Sequence, residues 1–399
     1  MGEEGEPPDR DQRNSTLETK VYDPKRFFSR DRKYSIDKRE IFLEKRSEEE
    51  VGILNMTFVE NEGTPLLAYR VRKLKNGKET SDIEVNGKRI LNKNDREDYD
   101  RISREDPRIS IINGKPIISC IGYNGFNAIS FAVTLNENYK GTRIGTTGPN
   151  IPLEEAIMLI PKKSPYRELL EIELENTKTI RDKIEGTEPI LPFNKDTSIF
   201  KPKDYIEYLR IGNSIQKISV KKITDLQNPE TWRSWFPEID KHTILNPSDL
   251  QEWANSKIGQ GSIPKKIIDH KGKERWINVI HGVEDKGNQK ENEVIYRTTI
   301  AEYNPETWNM KSCMKYPFLE PFDTDLLIEE DPLGKIWKKS ICFGNDIILP
   351  ENARTKPPEG LERELMIIMG VADDKGGYYI TNLEYVLDKL EESKNQIAA

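Results

Sequence analysis

Five times along the chain a short strand-like run, a tight turn, a longer apolar run and a further strand-like run follow one another. This recurrence limits the fold more than any other feature of the sequence. The clearest copies are residues 56–59, 66–71 and 81–85; 197–200, 205–210 and 216–220; 266–268, 276–282 and 294–300; and 346–350, 364–370 and 378–380, with another around Arg108. Gly, Asn, Asp or Pro bound each run, as in the turns Pro202-Lys203-Asp204 and His270-Lys271-Gly272. One such unit cannot bury its own apolar face, so the units must stack. Units spaced irregularly by roughly 50 to 80 residues predict an all-β fold, a five-bladed β-propeller with long connections. Residues 31–399 are expected to form it as a single domain. Helical periodicity is confined to residues 166–183, inside a segment 148–188 that reads as an insertion, and to a C-terminal helix over about 382–395 capped by Thr381 or Asn382. Residues 1–30, rich in charge and proline, are expected to be a disordered arm.

The chemistry is most concentrated at Ser103-Arg104-Glu105-Asp106-Pro107-Arg108-Ile109-Ser110, where two carboxylates and two guanidinium groups surround a proline. An Asn113-Gly114 pair just beyond suits a hairpin turn. Pro107 disfavours helix for its predecessor, so Asp106 is expected to be extended, with its carboxylate held in one direction. Read blandly, the stretch is a surface loop with an Arg-Asp ion pair. In a propeller, Arg70, Arg108, Arg210, His281 and Asp373, each flanking an apolar strand, would converge on the axis. The plainer readings are ion pairs of Arg210 with Glu207 or Asp204 and of Lys195 with Asp196, a structural role for His281, and a turn at Asp373. The six tryptophans are expected mostly in the core.

Lys plus Arg number 62 against 69 Asp plus Glu, a net charge of -7, which supplies no basic field for nucleic acid or an anionic membrane. Cys120, Cys313 and Cys342 are odd in number and far apart, so neither a disulfide framework nor a metal site is expected, and a reducing, cytoplasmic setting fits. No apolar run reaches the ~20 residues of a membrane span.

Five motifs in order resemble glycoside hydrolase family 130, the β-mannoside phosphorylases and β-mannosidases. They are Glu105-Asp106-Pro107-Arg108; Asn194-Lys195-Asp196 with Phe200 and Arg210; Lys257-Ile258-Gly259-Gln260-Gly261 with Pro264; residues 276–280 with His281-Gly282-Val283; and Gly370-Val371-Ala372-Asp373. The resemblance spans residues 55 to about 390. It implies an inverting glycoside phosphorylase that cleaves a β-mannoside with inorganic phosphate to give α-mannose 1-phosphate. Asp106 matches the proton donor, acting through a sugar hydroxyl. Arg210, His281, Lys195 and Lys257 match phosphate-binding positions, and Asn55, Arg70, Arg108, Asp196 and Asp373 border the sugar. The partners implied are an oligosaccharide or disaccharide and phosphate, with no metal and no organic cofactor; a homo-oligomer is compatible with it. The alternatives are a β-mannoside hydrolase and a non-catalytic propeller that binds glycans or protein. The chain departs from the family pattern at Asn55-Met56-Thr57, Leu209-Arg210 and Ser103-Arg104.

Overall fold

The Asn113-Gly114 pair makes the turn its composition requires. Both residues adopt positive φ, 51° and 75°, and join β6 (Ser103–Ile112) to β7 (Lys115–Tyr123). The computed structural model describes residues 38–43, 50–75, 78–92, 94–184, 187–250, 252–286, 292–314, 316–319, 321, 326–330, 336–371 and 375–397. The expected arm over residues 1–30 and Asp373 lie outside them.

The described chain is mostly β. Before β6 come β1 (Lys38–Leu43), β2 (Glu50–Asn61), β3 (Thr64–Lys75), β4 (Lys78–Val85) and β5 (Lys88–Arg89). After β7 come β8 (Ala128–Leu135) and β9 (Gly141–Thr146), then β10 (Asn194–Phe200), β11 (Tyr205–Ile211), β12 (Ser214–Val220) and β13 (Thr243–Leu245). The last third holds β14 (Lys257–Gln260), β15 (Lys265–Ile268), β16 (Glu274–Asp285), β17 (Asn292–Tyr303), β18 (Met310–Cys313), β19 (Leu326–Glu330), β20 (Ile336–Ile348), β21 (Glu364–Val371) and β22 (Lys375–Asn382).

These strands form three hydrogen-bonded sheets, ordered β2-β3-β4-β6-β7-β8-β9, β10-β11-β12-β13 and β1-β22-β21-β20-β17-β16-β14, with β5, β15, β18 and β19 attached at their sides. Only two pairings are parallel, a single bridge from Ser81 to Ser103 and a short run of β17 against β20. Set aside, these leave antiparallel groups that follow the recurrence in the sequence. The first strands of the groups touch in turn: β2 meets β6, β6 meets β10, β10 meets β14, and β20 packs on both β16 and β2. Polar bonds lock the junctions: Ser119 Oγ donates to the Thr197 carbonyl at 2.9 Å, and the Tyr208 hydroxyl to that of Trp308 at 2.7 Å. The fully buried Asp346 takes the Phe58 N–H at 2.7 Å and pairs with Lys265 at 2.8 Å.

Among the described residues, five α-helices accompany the sheets. Residues 153–184 supply α1 (Leu153–Leu159) and α2 (Pro165–Ile184), whose Leu153, Ile157, Tyr166 and Leu170 pack with Leu209, Ile211 and Ile218 of the β10–β13 sheet. The helix read over residues 166–183 is therefore present, and it is docked on a sheet. α3 (Pro229–Trp235) and α4 (Ile239–His242) seal the same core. The C-terminal α5 (Leu383–Ile397) is capped by Asn382, whose Oδ1 accepts the Tyr385 N–H at 3.0 Å. It buries Leu383, Val386, Leu387 and Leu390 against the last sheet. Trp232, Trp235, Trp253 and Trp308 are buried in cores, as expected of most of the tryptophans.

Candidate functional site

The same backbone irregularity occurs in β2, β6 and β10. In each, two residues stand opposite one on the neighbouring strand: Asn55-Met56 opposite Tyr69, Asp106-Pro107 opposite Cys120, and Asp196-Thr197 opposite Leu209. In each, the first bulge residue is left-handed, with φ of 55°, 49° and 53°. Asn and Asp are the non-glycine residues that tolerate this region best, because a short polar side chain meets the local backbone cheaply. A bulge re-aims the side chains around it. The expectation that Pro107 makes Asp106 extended is thus corrected. The break in register puts Asp106 at φ 49°, and Pro107, which has no N–H to donate, occupies the second bulge position where a ladder bond is lost anyway. Nor is the charged stretch a loop; it lies inside β6, with Arg104, Glu105, Asp106 and Arg108 all buried.

The bulges deliver their side chains to one place. Asn55 Nδ2 donates to Asp106 Oδ1. Next to Asp106, Glu105 pairs with Arg70 at 3.1 Å and with Lys195 at 3.3 Å and accepts the Ser103 hydroxyl at 2.7 Å. Burial alone would raise the Glu105 pKa, but Arg70 and Lys195 outweigh it and hold the carboxyl at about 2. Glu105 in turn raises Lys195, with a smaller contribution from Asp106. Asp196 accepts from Arg210 Nε at 2.7 Å and lies 3.6 Å from His281 Nε2 and 3.9 Å from Arg108. Burial opposes its charge, yet Arg210, His281 and Arg108 keep its pKa well below the usual carboxylate range. Arg108 is fixed by a 2.8 Å bond to the Gly261 carbonyl, reaching from β6 to the turn after β14. Gly259 leaves the space that Asp196 and His281 fill, since a β-carbon there would overlap both.

Lys257, beside Asp196 and across from the Tyr296 ring, has no carboxylate bonded to it among the described residues. Burial, with Arg210 and Lys195 nearby, lowers its pKa to about 7. Around Asp106 the ionised groups are therefore Arg70, Arg108, Lys195 and Arg210 against Glu105 and Asp196. These cations outnumber the paired carboxylates. Such a cluster favours an added anion, and its planar guanidinium groups suit phosphate oxygens.

Asn55, Arg70, Asp106, Arg108, Lys195, Asp196, Arg210, Lys257 and His281 thus come together from β2, β3, β6, β10, β11, β14 and β16. The ion pairs considered for Arg210 are not made, for it bonds Asp196, and Lys221 takes Asp204 at 2.7 Å. Two carboxyls had no role assigned from the sequence. One is Glu105, whose two cations make it the hub of the first half. The other is Glu173 of α2, which accepts the Phe193 N–H at 2.7 Å. Burial, only partly offset by that bond and by Arg210, raises Glu173 to about 7. The signal for the bulges lay in the sequence as an Asn or Asp set inside an apolar strand in three successive groups. No pattern marked Glu173. Arg104, a departure from the family pattern, faces away from this cluster, bonding Asp100 at 2.6 Å and Asp82 at 3.2 Å.

No family model and no curated protein matches the sequence. Solved structures do match. One is a β-1,2-mannobiose phosphorylase from Listeria innocua in complex with β-1,2-mannobiose, 16% identical, with a TM-score of 0.52 over 88% of this chain and 95% of the other. A second is a GH130 structure described with glycoside hydrolases that target β-1,2 mannosidic linkages in Candida mannan, 11% identical, with a TM-score of 0.52 over 88% and 96%. A third is a glycosyl hydrolase from Bacteroides ovatus, 11% identical, with a TM-score of 0.52 over 87% and 94%. The family resemblance read from five sequence motifs is thus met at the level of architecture: this chain has the fold of the GH130 mannoside phosphorylases and hydrolases.

Proposed function

We propose that the chain is an inverting β-mannoside phosphorylase built on a five-bladed propeller, in which the antiparallel groups are the blades and residues from 31 onward form one catalytic domain. The observation that carries this reading is the meeting of Asp106, held by Asn55, with the cations Arg210, Lys195 and Lys257 and with His281. In the reaction a phosphate oxygen attacks the anomeric carbon of the terminal mannose. The glycosidic C–O bond breaks, and a proton passes from Asp106 through a sugar hydroxyl to the departing oxygen. Inversion converts the β-mannoside to α-mannose 1-phosphate. Phosphate arrives as an anion, so no second carboxylate is needed to activate it, unlike the water of an inverting hydrolase. Arg70, Arg108, Asn55 and Asp373 are assigned to the mannose, and no metal or organic cofactor takes part. The protein acts in the cytoplasm in this reading.

A second reading, hydrolysis, is favoured by Asp196, whose charge already satisfies Arg210. Glu173, poised near neutrality, would suit a base that activates water. The deciding experiment incubates the protein with a panel of β-mannosides with and without inorganic phosphate. Phosphate-dependent mannose 1-phosphate supports phosphorolysis; free mannose in both tubes replaces it with hydrolysis. No product from any mannoside overturns both and leaves either a different sugar or the non-catalytic glycan- or protein-binding role.

A further inference from the structure

Outside the bulge cluster, the described residues hold a cleft of about 610 Å³ between α2 and the β11–β12 turn. Tyr166, Leu169, Asn213, Ser214, Asn246 and Leu250 wall it, and the rest of its lining is Ser248, Asn255, Pro165 and Pro247, so the lining contains no Asp, Glu, Lys, Arg or His. From this we infer that the cleft is a remote carbohydrate subsite, which holds the part of an oligosaccharide beyond the sugars at the cleavage site. The inference rests on the reading of the chain as mannoside-cleaving.

The chemistry of the walls selects the ligand. A pocket without charge has little to offer a nucleotide, a phosphate or an acidic peptide, while amides and hydroxyls beside leucine and proline match the alternating O–H and C–H surfaces of a pyranose. The amides are also oriented. Asn246 Oδ1 accepts the Tyr166 hydroxyl at 3.0 Å and the Ser214 hydroxyl at 2.9 Å, and Asn213 Oδ1 lies 2.9 Å from the same serine. With the Asn246 oxygen engaged by Tyr166, its Nδ2 remains as a donor, and the single Ser214 proton is shared between the two amide oxygens.

The position connects the cleft to the cluster. Arg210 Nη1 donates to the Gly212 carbonyl at 3.3 Å, and the Asn213 carbonyl accepts the Ile258 N–H at 2.9 Å, so one turn separates the cleft from Arg210 and Lys257. Lys257 of the cluster opens β14, and Asn255 of the cleft lies only two residues before it. The outer wall comes from α2, part of the segment outside the recurring unit. Gly212 supplies the φ of 67° that this turn needs, and Leu169 of α2 lies beside it.

The test uses full-length Asp106→Asn protein in phosphate-free buffer, in which residual turnover should be too slow to disturb a titration, and titrates it calorimetrically with β-1,2- and β-1,4-linked mannobiose and mannotetraose. The tetraose of one linkage should bind at least about tenfold more tightly than its biose. Asn213→Trp and Ser248→Trp, the latter at an exposed rim position, should each abolish that advantage. In the active protein the same substitutions should lower the ratio of kcat/KM for tetraose over biose. Equal affinity for biose and tetraose, or an advantage that survives both tryptophans, overturns the subsite. If no mannoside is turned over but the tryptophan-sensitive tetraose advantage is present, the subsite stands and the enzymatic reading falls.

Discussion

Asp196→Asn tests the electrostatic account of the site most directly. The wild-type carboxylate is 8% exposed and lies within 4 Å of Arg210, Arg108 and His281. Removing one member of a buried ion pair costs about 3–5 kcal/mol, and an amide that keeps one acceptor for Arg210 points to the lower end. At an unfolding entropy of about 2.1 cal/mol/K per residue, a chain of 399 residues loses roughly 1.2 °C per kcal/mol, or about 4 °C in Tm. Burial would raise the Asp196 pKa, but Arg210, His281 and Arg108 outweigh it and depress it, so its stabilisation is present above the unfolded value of about 3.9 and is lost as pH falls through the lower folded value. The gap between wild type and variant should therefore close in strong acid. The variant also gains a net positive charge at the site, so an added anion should restore what the carboxylate supplied; phosphate at 100 times its Kd returns about 2.7 kcal/mol. Thermal melts at pH 7, in phosphate-free buffer and across a phosphate titration, give both quantities. Equal melting of the two proteins without phosphate, together with equal phosphate shifts, would refute the idea that Asp196 is the internal counter-ion of this cluster.

Asp106→Asn should lower turnover by about 10²- to 10⁴-fold, the contribution of a general acid, with the circular dichroism spectrum unchanged; full activity would remove Asp106 from that role. Lys257, lowered to about 7, carries its charge below that pH, so affinity for sulfate, which does not titrate there, should fall as pH rises from 6 to 8, and Lys257→Met should flatten the profile. Because the unfolded lysine keeps its proton to about 10.4, the contribution of Lys257 to stability should grow with pH between about 7 and 10.4 in chemical denaturation of wild type against the variant. Gly259→Ala places a methyl against Asp196 and His281 and should reduce sulfate affinity at least tenfold by calorimetry; unchanged affinity would mean that the two side chains can part without consequence.

Much of the architecture was legible because strand and turn signals are local. Asn113-Gly114 fixes its hairpin by conformational preference alone, and the apolar spacing of α5 exposes its buried face. The cation cluster was legible only through the order of motifs, since nothing local says that Arg210 of β11 meets Asp196 of β10 and not Glu207 on its own strand. That choice follows from the bulge, which turns Asp196 toward the arginine. The geometry of Asp106 was misjudged for a related reason: the preference of a residue before proline was overridden by a register break set by the neighbouring strand. Glu173 was illegible because its pKa depends on where α2 docks, a tertiary fact.

The pairing of β1 with β22 bears on how the protein is made. In this antiparallel pair Lys38 stands opposite Ile380, and Glu40 opposite Tyr378. The ribosome therefore makes the two strands of this pair about 340 residues apart, and at about 5–20 residues per second the wait between them is roughly 17 to 70 s. During that interval the edge of β1 has no mate, while β2 to β17 can already pair among themselves. The last sheet can be completed only after the C-terminal segment leaves the exit tunnel. Nascent chains stalled before residue 375 should therefore expose β1 to proteases and chaperones, whereas released chains should not.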